Sequence, residues 1–337
     1  MNSLHDSCVV KSANTKIHEL VPASPTRESS NIITVRYWGG MGNVLFEIAA
    51  AIAYSNMKKR PFVLDKYAAF PNIDHHTAES IGIDPQEFAD SLKEFSEEEI
   101  ARNEPFPENQ NIKLIGFFQT YKLFEPYKDQ IFKVIGIQAI RDAVLDKIRG
   151  PAFQSRGLFT GSDSNITISL HIRRGDYETK FSCCFLLLNE YYYKRALLHI
   201  SNKIDNPAVA IKILCFYERN SANSANKVID ALKHDPELSQ YPFEYHHLND
   251  ILDEQQMSFT DIEEMAAMSH CRHHIIANST YSWWSAYINP DNSKIVCYPD
   301  EYFNHQLHYL SNNGLKVTEW TSIEAWNPCE YKCSCRW

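Results

Sequence analysis

From Ile33 to Asp65 the hydrophobic pattern changes period twice. Ile33 to Trp38 is rich in β-formers and Gly39 to Asn43 reads as a turn, while Val44 to Lys59 sets Leu45, Ile48, Ala49 and Ile52 at helical spacing. Pro61 to Asp65 predicts a second strand, completing the strand, helix, strand unit from which parallel sheets are built. A polar, acidic stretch from Asp84 to Asn111 leads into a short apolar strand at Ile112 to Phe118. Arg149, Gly150 and Pro151 then break a helical pattern and predict the end of a first domain.

The second half opens with Ile166, Ile168, Leu170 and Ile172 alternating with polar residues, a half-buried strand over Asn165 to Ile172. Further strands are predicted at Val209 to Phe216, Phe243 to Leu248, His274 to Ala277 and Lys294 to Tyr298, with helical patterns between them. Thr260 to Glu263 spells a capping box, so a helix starts there and runs to about Arg272. The alternation implies a doubly wound α/β domain.

A chain of 337 residues exceeds the size at which one core usually stops growing, about 250 to 300 residues. Two domains are expected, over residues 31–150 and 151–337, behind a flexible tail at 1–30 that lacks the positive head and apolar block of a signal peptide. A formal net charge of −9 argues against a nucleic-acid partner. No run reaches the roughly 18 apolar residues that cross a bilayer, which predicts an unanchored, cytoplasmic protein. Among nine cysteines, Cys215, Cys271 and Cys297 sit in apolar contexts that predict free, buried thiols; Cys329, Cys333 and Cys335 lack the paired spacing of a zinc site. The histidine pairs, His273 and His274 among them, read as surface or satisfied polar residues.

Three strings carry candidate chemistry. His171, Ile172, Arg173, Arg174, Gly175, Asp176 and Tyr177 end a predicted strand, the edge at which open α/β sheets bind ligands. Two guanidiniums there suit a diphosphate, although an exposed arginine pair salt-bridged to Asp176 fits the same letters. Asn278, Ser279, Thr280, Tyr281, Ser282, Trp283 and Trp284 lie between a strand and a helix, where hydroxyls and backbone N–H groups make an anion site. The alternative is a hydroxyl-rich cap with both tryptophans in the core. Gly39, Gly40, Met41, Gly42 and Asn43 follow the first strand, but Leu45 stands where a dinucleotide fingerprint needs its third glycine. No Asp-x-Asp pair occurs to hold a metal on a nucleotide diphosphate, so no metal ligand is assigned.

Together these strings resemble glycosyltransferase family 11, the α-1,2-fucosyltransferases. The family's Gly-Gly-Leu-Gly-Asn-Gln loop stands here as Gly39 to Val44, its His-x-Arg-Arg-Gly-Asp-Tyr as His171 to Tyr177, and its Asn-Ser-Thr-Phe-Ser-Trp-Trp as Asn278 to Trp284 with Tyr281 for Phe. Gly116 to Lys122 resembles a further Gly-Tyr-Phe-Gln segment. Val44 and Glu47 replace two family glutamines; Glu47 either touches acceptor handling or is solvated on an amphipathic helix.

The resemblance implies a GT-B-like α/β architecture, two Rossmann-like domains facing across a cleft, with acceptor on the first and GDP-fucose on the second. It implies inverting transfer of fucose to the 2-hydroxyl of a terminal galactose, without a cofactor or metal. Binding falls to Arg173, Arg174, Asn278, Ser279, Thr280, Ser282, Gly40, Gly42 and Asn43; catalytic candidates are Arg173, Arg174, Asp176 and His171. Many animal relatives carry a membrane helix, so a Golgi location stands beside the cytoplasmic one. Two other classes remain open: a nucleotide-dependent oxidoreductase using the first glycine loop and Asp65, and a non-catalytic glycan binder stacking sugars on Tyr and Trp.

Overall fold

The computed structural model describes residues 31–160, 165–204, 209–304, 307 and 313–326. The expected tail at 1–30 and the C-terminal cysteines Cys329, Cys333 and Cys335 lie outside the described residues.

The first half contains β1 (Ile33–Val35), α1 (Met41–Lys58), α2 (Pro85–Asp90), β2 (Leu92–Ser96), α3 (Glu97–Ala101), β3 (Asn111–Ile115), α4 (Tyr121–Phe124), α5 (Lys128–Ile135) and α6 (Ile137–Ile148). Its parallel sheet runs β1, β3, β2. The strand expected at Pro61 to Asp65 shrinks to a parallel bridge between Phe62 and Ile33. Pro61 has no N–H for a ladder. α1 is the centre of this half: Val44 to Ser55 are all buried, so the helix is covered on every side instead of presenting one apolar stripe.

The second half contains α7 (Pro151–Gln154), β4 (Asn165–His171), α8 (Glu190–Ser201), β5 (Ala210–Phe216), α9 (Ala222–Lys233), β6 (Phe243–His247), α10 (Leu248–Glu254), α11 (Asp261–Ser269), β7 (His273–Ile275), α12 (Thr280–Tyr287), β8 (Val296–Pro299) and β9 (Thr321–Ile323). All six strands are parallel, in the order β6, β5, β4, β7, β8, β9. Strand order reverses between β4 and β7, the switch point at which a Rossmann sheet opens a crevice beyond its strand ends. This is the α/β, doubly wound, GT-B-like architecture expected.

α8 and α9 cover one face of the second sheet, through Tyr192, Leu197 and Ile229, and α6, α10 and α11 the other, through Ile148, Leu252 and Met268. α12 crosses the seam. Its Trp283 and Trp284, fully buried, pack 4.9 Å and 5.0 Å from Phe46 of α1. The Trp284 indole N–H donates to Gly42 O at 3.0 Å. The two halves thus share one core beneath the cleft. The capping box at Thr260 and Glu263 forms as expected, with the helix ending at Ser269. Cys215, Cys271 and Cys297 are buried free thiols. His273 and His274 are buried and bonded, the latter to Ser169 and Asn289 at 2.8 Å each.

Candidate active site at the switch point

β4 delivers the Arg-Arg string to the crevice, and Gly175 turns it back at φ +64°, where a Cβ would collide with the Glu218 carboxylate. Arg173 lies over the Tyr177 ring at 5.0 Å, and its two terminal nitrogens donate to Asp176 Oδ1 and Glu218 Oε1. Its Nε is buried without a partner. Arg174 points elsewhere. Only 3% exposed, it donates to Leu188 O at 2.8 Å, to Arg173 O at 2.9 Å and to Ser224 Oγ at 3.1 Å. The expected pair of open guanidiniums is therefore one partly open fork and one buried tie. The reason is the chain segment ending at Leu188, whose carbonyl needs a donor inside the fold.

From β7 the second string divides in the same way. Asn278 is buried, its side-chain N–H₂ donating to Leu186 O and Tyr302 O at 2.8 Å each. Its carbonyl accepts from Tyr177 OH at 3.0 Å, which ties this string to the arginine string. Ser282 Oγ accepts from Ala277 N and donates to Ser279 O, closing the turn internally. Ser279 is the N-cap of α12 but makes no side-chain cap bond, so the first amides of that helix keep their donors. The buried sequon at Asn278 has no route to a glycan.

The glycine loop of the first half meets that helix start. Thr280 Oγ1 donates to Asn43 Oδ1 at 2.8 Å, and Gln119 Nε2 donates to the same oxygen at 3.1 Å. A Cβ on Gly42 would fall 2.5 Å from Tyr281 N, so glycine is what allows the approach. Around Gly40 the space is open. Gly40 caps α1 without a side-chain bond, so two helix starts without side-chain caps meet at the seam. Next to this loop Trp38, 57% exposed, and Phe117, 41% exposed, stand with ring centroids 6.0 Å apart. Arg36 lies 5.1 Å over the indole.

Burial governs the titrating groups here. His171, with its ring 5.7 Å from Tyr281 and Nδ1 unpartnered, is pushed down to about 3 by desolvation and the nearby Arg173 charge, so it is neutral. Glu47 is fully buried on α1, not solvated. It accepts from Trp38 N at 2.9 Å, leaves Oε1 unpartnered, and is pushed up to about 8 by burial. Glu264 on α11 rises to about 7, chiefly by burial with Asp261 beside it. Sequence reasoning missed Glu218 and Glu264 as neighbours of the site, and named Tyr177 in its string without a role. Glu218 sits two residues beyond β5, next to β4 in the sheet, so knowledge of strand order would have found it.

The family model described as "Glycosyl transferase family 11" matches residues 8–324. An O-antigen biosynthesis glycosyltransferase, WbnK of Escherichia coli, is 27% identical over 207 residues; the match spans 61% of this chain and 58% of that protein's length. An α-1,2-colitosyltransferase of Escherichia coli is 23% identical over 326 residues, 87% of this chain and 99% of the relative. Among solved structures, the fucosyltransferase NodZ from Bradyrhizobium aligns over 77% of this chain and 94% of its own at 12% identity and a TM-score of 0.43.

Proposed function

The chain belongs to glycosyl transferase family 11, and from that premise we propose that it transfers L-fucose from GDP-β-L-fucose to the 2-hydroxyl of a terminal galactose, inverting C1 from β to α. Membership makes it a glycosyltransferase and sets aside the oxidoreductase and the non-catalytic binder. The observation that carries the finer reading is the meeting of Arg173 and the uncapped start of α12 on either side of the second sheet's switch point, tied through Tyr177.

In this reading the acceptor oxygen bonds to C1 as the C1–O bond to the β-phosphate breaks, and the pair of electrons leaves with GDP. Arg173 and the α12 amides hold the diphosphate and stabilise the negative charge that develops on it. To do so Arg173 exchanges at least one carboxylate partner, Asp176 or Glu218, for phosphate oxygens. The released carboxylate stands where a proton from the acceptor can be taken, the role assigned to Asp176. Arg174 keeps Arg173's main chain in place and is a positioning residue, as are Asn278, Thr280, Ser282, Gly42 and Asn43. Neutral His171 and Ser279 line the sugar side. Trp38 and Phe117 offer an aromatic surface to the acceptor, with Arg36 over one face of the indole.

Incubation with GDP-fucose and a β-galactoside, followed by mass spectrometry and linkage analysis, tests the reading; donor consumed without a 2-linked product sinks it. The same assay in excess EDTA is expected to keep its rate, and loss restored by Mg²⁺ or Mn²⁺ would remove the metal-free account. A colitosyl donor is the second reading, favoured by the relative matched over 99% of its length, and competition between the two GDP-sugars decides between them.

A further inference from the structure

At the other, amino-terminal edge of the second sheet lies a cavity of about 390 Å³, a volume within the range of small-ligand pockets. Its lining joins α6 to the residues that lead into β4 and β7, so the strands whose ends carry Arg173 and Asn278 begin here. Three guanidiniums line it. Arg141, 7% exposed, is inside, its Nε held by Ser269 Oγ at 2.9 Å; Arg149, just past α6, and Arg272, just before β7, are exposed.

Carboxylates are conspicuous by what they do instead. Asp291, the one acid lining the cavity among the described residues, accepts from Ser293 N and Oγ at 2.7 Å each. Asp142, next to Arg141 in sequence, accepts from Gln138 Nε2 at 2.8 Å. His270 donates from Nε2 to Arg141 O at 2.9 Å, and burial pushes it down to about 4, so it adds no charge. A chain with a net charge of −9 thus gathers three guanidiniums in one concavity; Asp142 acts on Arg141 and Asp291 on Arg272 at a distance, and among the described residues no carboxylate makes a direct ion pair with any of the three. Like charges within walls of low dielectric repel one another and focus a positive field, an arrangement that an oxyanion relieves.

We propose that this cavity binds a phosphorylated small molecule, its phosphate or diphosphate oxygens gripped by Arg141, Arg149 and Arg272. The guanidinium fork matches phosphate oxygens two at a time, and the volume leaves room for a non-ionic remainder. Because α6 supplies Arg141 and is followed at once by Arg149, while Arg272 precedes β7, a bound anion ties α6 to the second sheet. The site is independent of the transfer reaction.

Calorimetric titration with inorganic pyrophosphate, at ionic strength held constant with NaCl, tests it on the full chain. Arg173→Ala, which removes the partly exposed guanidinium of the cleft, is expected to retain a one-to-one binding event and the rise in Tm that accompanies it. Arg149→Glu and Arg272→Glu, both at exposed positions, are each expected to weaken that event about tenfold or more while leaving the ligand-free melt unchanged. Loss of all pyrophosphate binding in Arg173→Ala, or unchanged affinity in both charge reversals, overturns the proposal.

Discussion

Two strand-to-helix crossings face each other over the seam, and they are built on opposite terms. The crossing from β1 to α1 is made of glycines: Gly42 lets the chains touch and Gly40 leaves open space. The crossing from β7 to α12 is made of hydroxyls and amides, and most of these are spent on the fold: Asn278 holds Leu186 and Tyr302, Thr280 holds Asn43, and Ser282 closes its own turn. What both lack is a side-chain cap on the helix that follows. A motif in this protein is therefore a mixture of groups spent on the fold and groups left open, and side-chain chemistry alone does not tell which is which.

The neighbouring arginines give the sharpest test of that division. Arg173→Ala is expected to cut transfer by about 10²- to 10³-fold, the loss of one or two charge-assisted hydrogen bonds, with an unchanged melt. Arg174→Lys is expected to show the reverse balance. A lysine cannot serve Leu188 O, Arg173 O and Ser224 in one plane, so Tm falls while the folded fraction keeps more activity than Arg173→Ala. Equal activity losses with equal melts in the two variants would erase the distinction. Next in size, Gly42→Ala places a methyl 2.5 Å from Tyr281 N, an overpacking of about 1 to 3 kcal/mol that parts the two helix starts and raises KM for the donor. Gly40→Ala is its control, with open space for the methyl and a melt like that of the parent.

Much of this is legible in the sequence. β5 and β8 follow from apolar runs near their observed bounds, because strands buried on both faces impose hydrophobic stretches, while β4 follows from alternation and β6, an edge strand, from Phe243 and Tyr245. β2 was not legible: in Leu92–Ser96 only Phe95 is buried, so no alternation marks it. β9, three residues at the sheet edge, has too little pattern to see. At the site, the strings were readable as strings, yet the burial of Arg174 depends on a carbonyl 14 residues away, and that of Glu47 on α1 being covered all round. Such facts belong to packing, which one-dimensional periodicity does not encode.

On the first half the comparison sharpens at Trp38 and Phe117, exposed aromatic groups beside the glycine crossing. Trp38→Ala is expected to raise KM for the acceptor several-fold, in line with about 1 kcal/mol for an aromatic contact, while KM for the donor and the hydrolysis of GDP-fucose stay constant. If donor and acceptor KM rise together, the indole supports the loop as a whole and is not an acceptor surface.

The smallest effect on transfer is expected at Glu47, whose carboxyl accepts the Trp38 N–H from inside the core. Its folded-state pKa is raised from 4.5 to about 8, so between those values the native protein holds a proton that the unfolded chain has released. Stability is therefore greatest on the acid side of this window and falls as pH rises towards 8. Glu47→Gln keeps an acceptor for Trp38 N and removes the titration, so urea midpoints of the variant should change less between pH 5.5 and pH 8 than those of the parent and lie above them at pH 8. Parallel pH profiles for the two proteins would mean that Glu47 ionises as an ordinary carboxylate, and that the glycine crossing rests on a charged group after all.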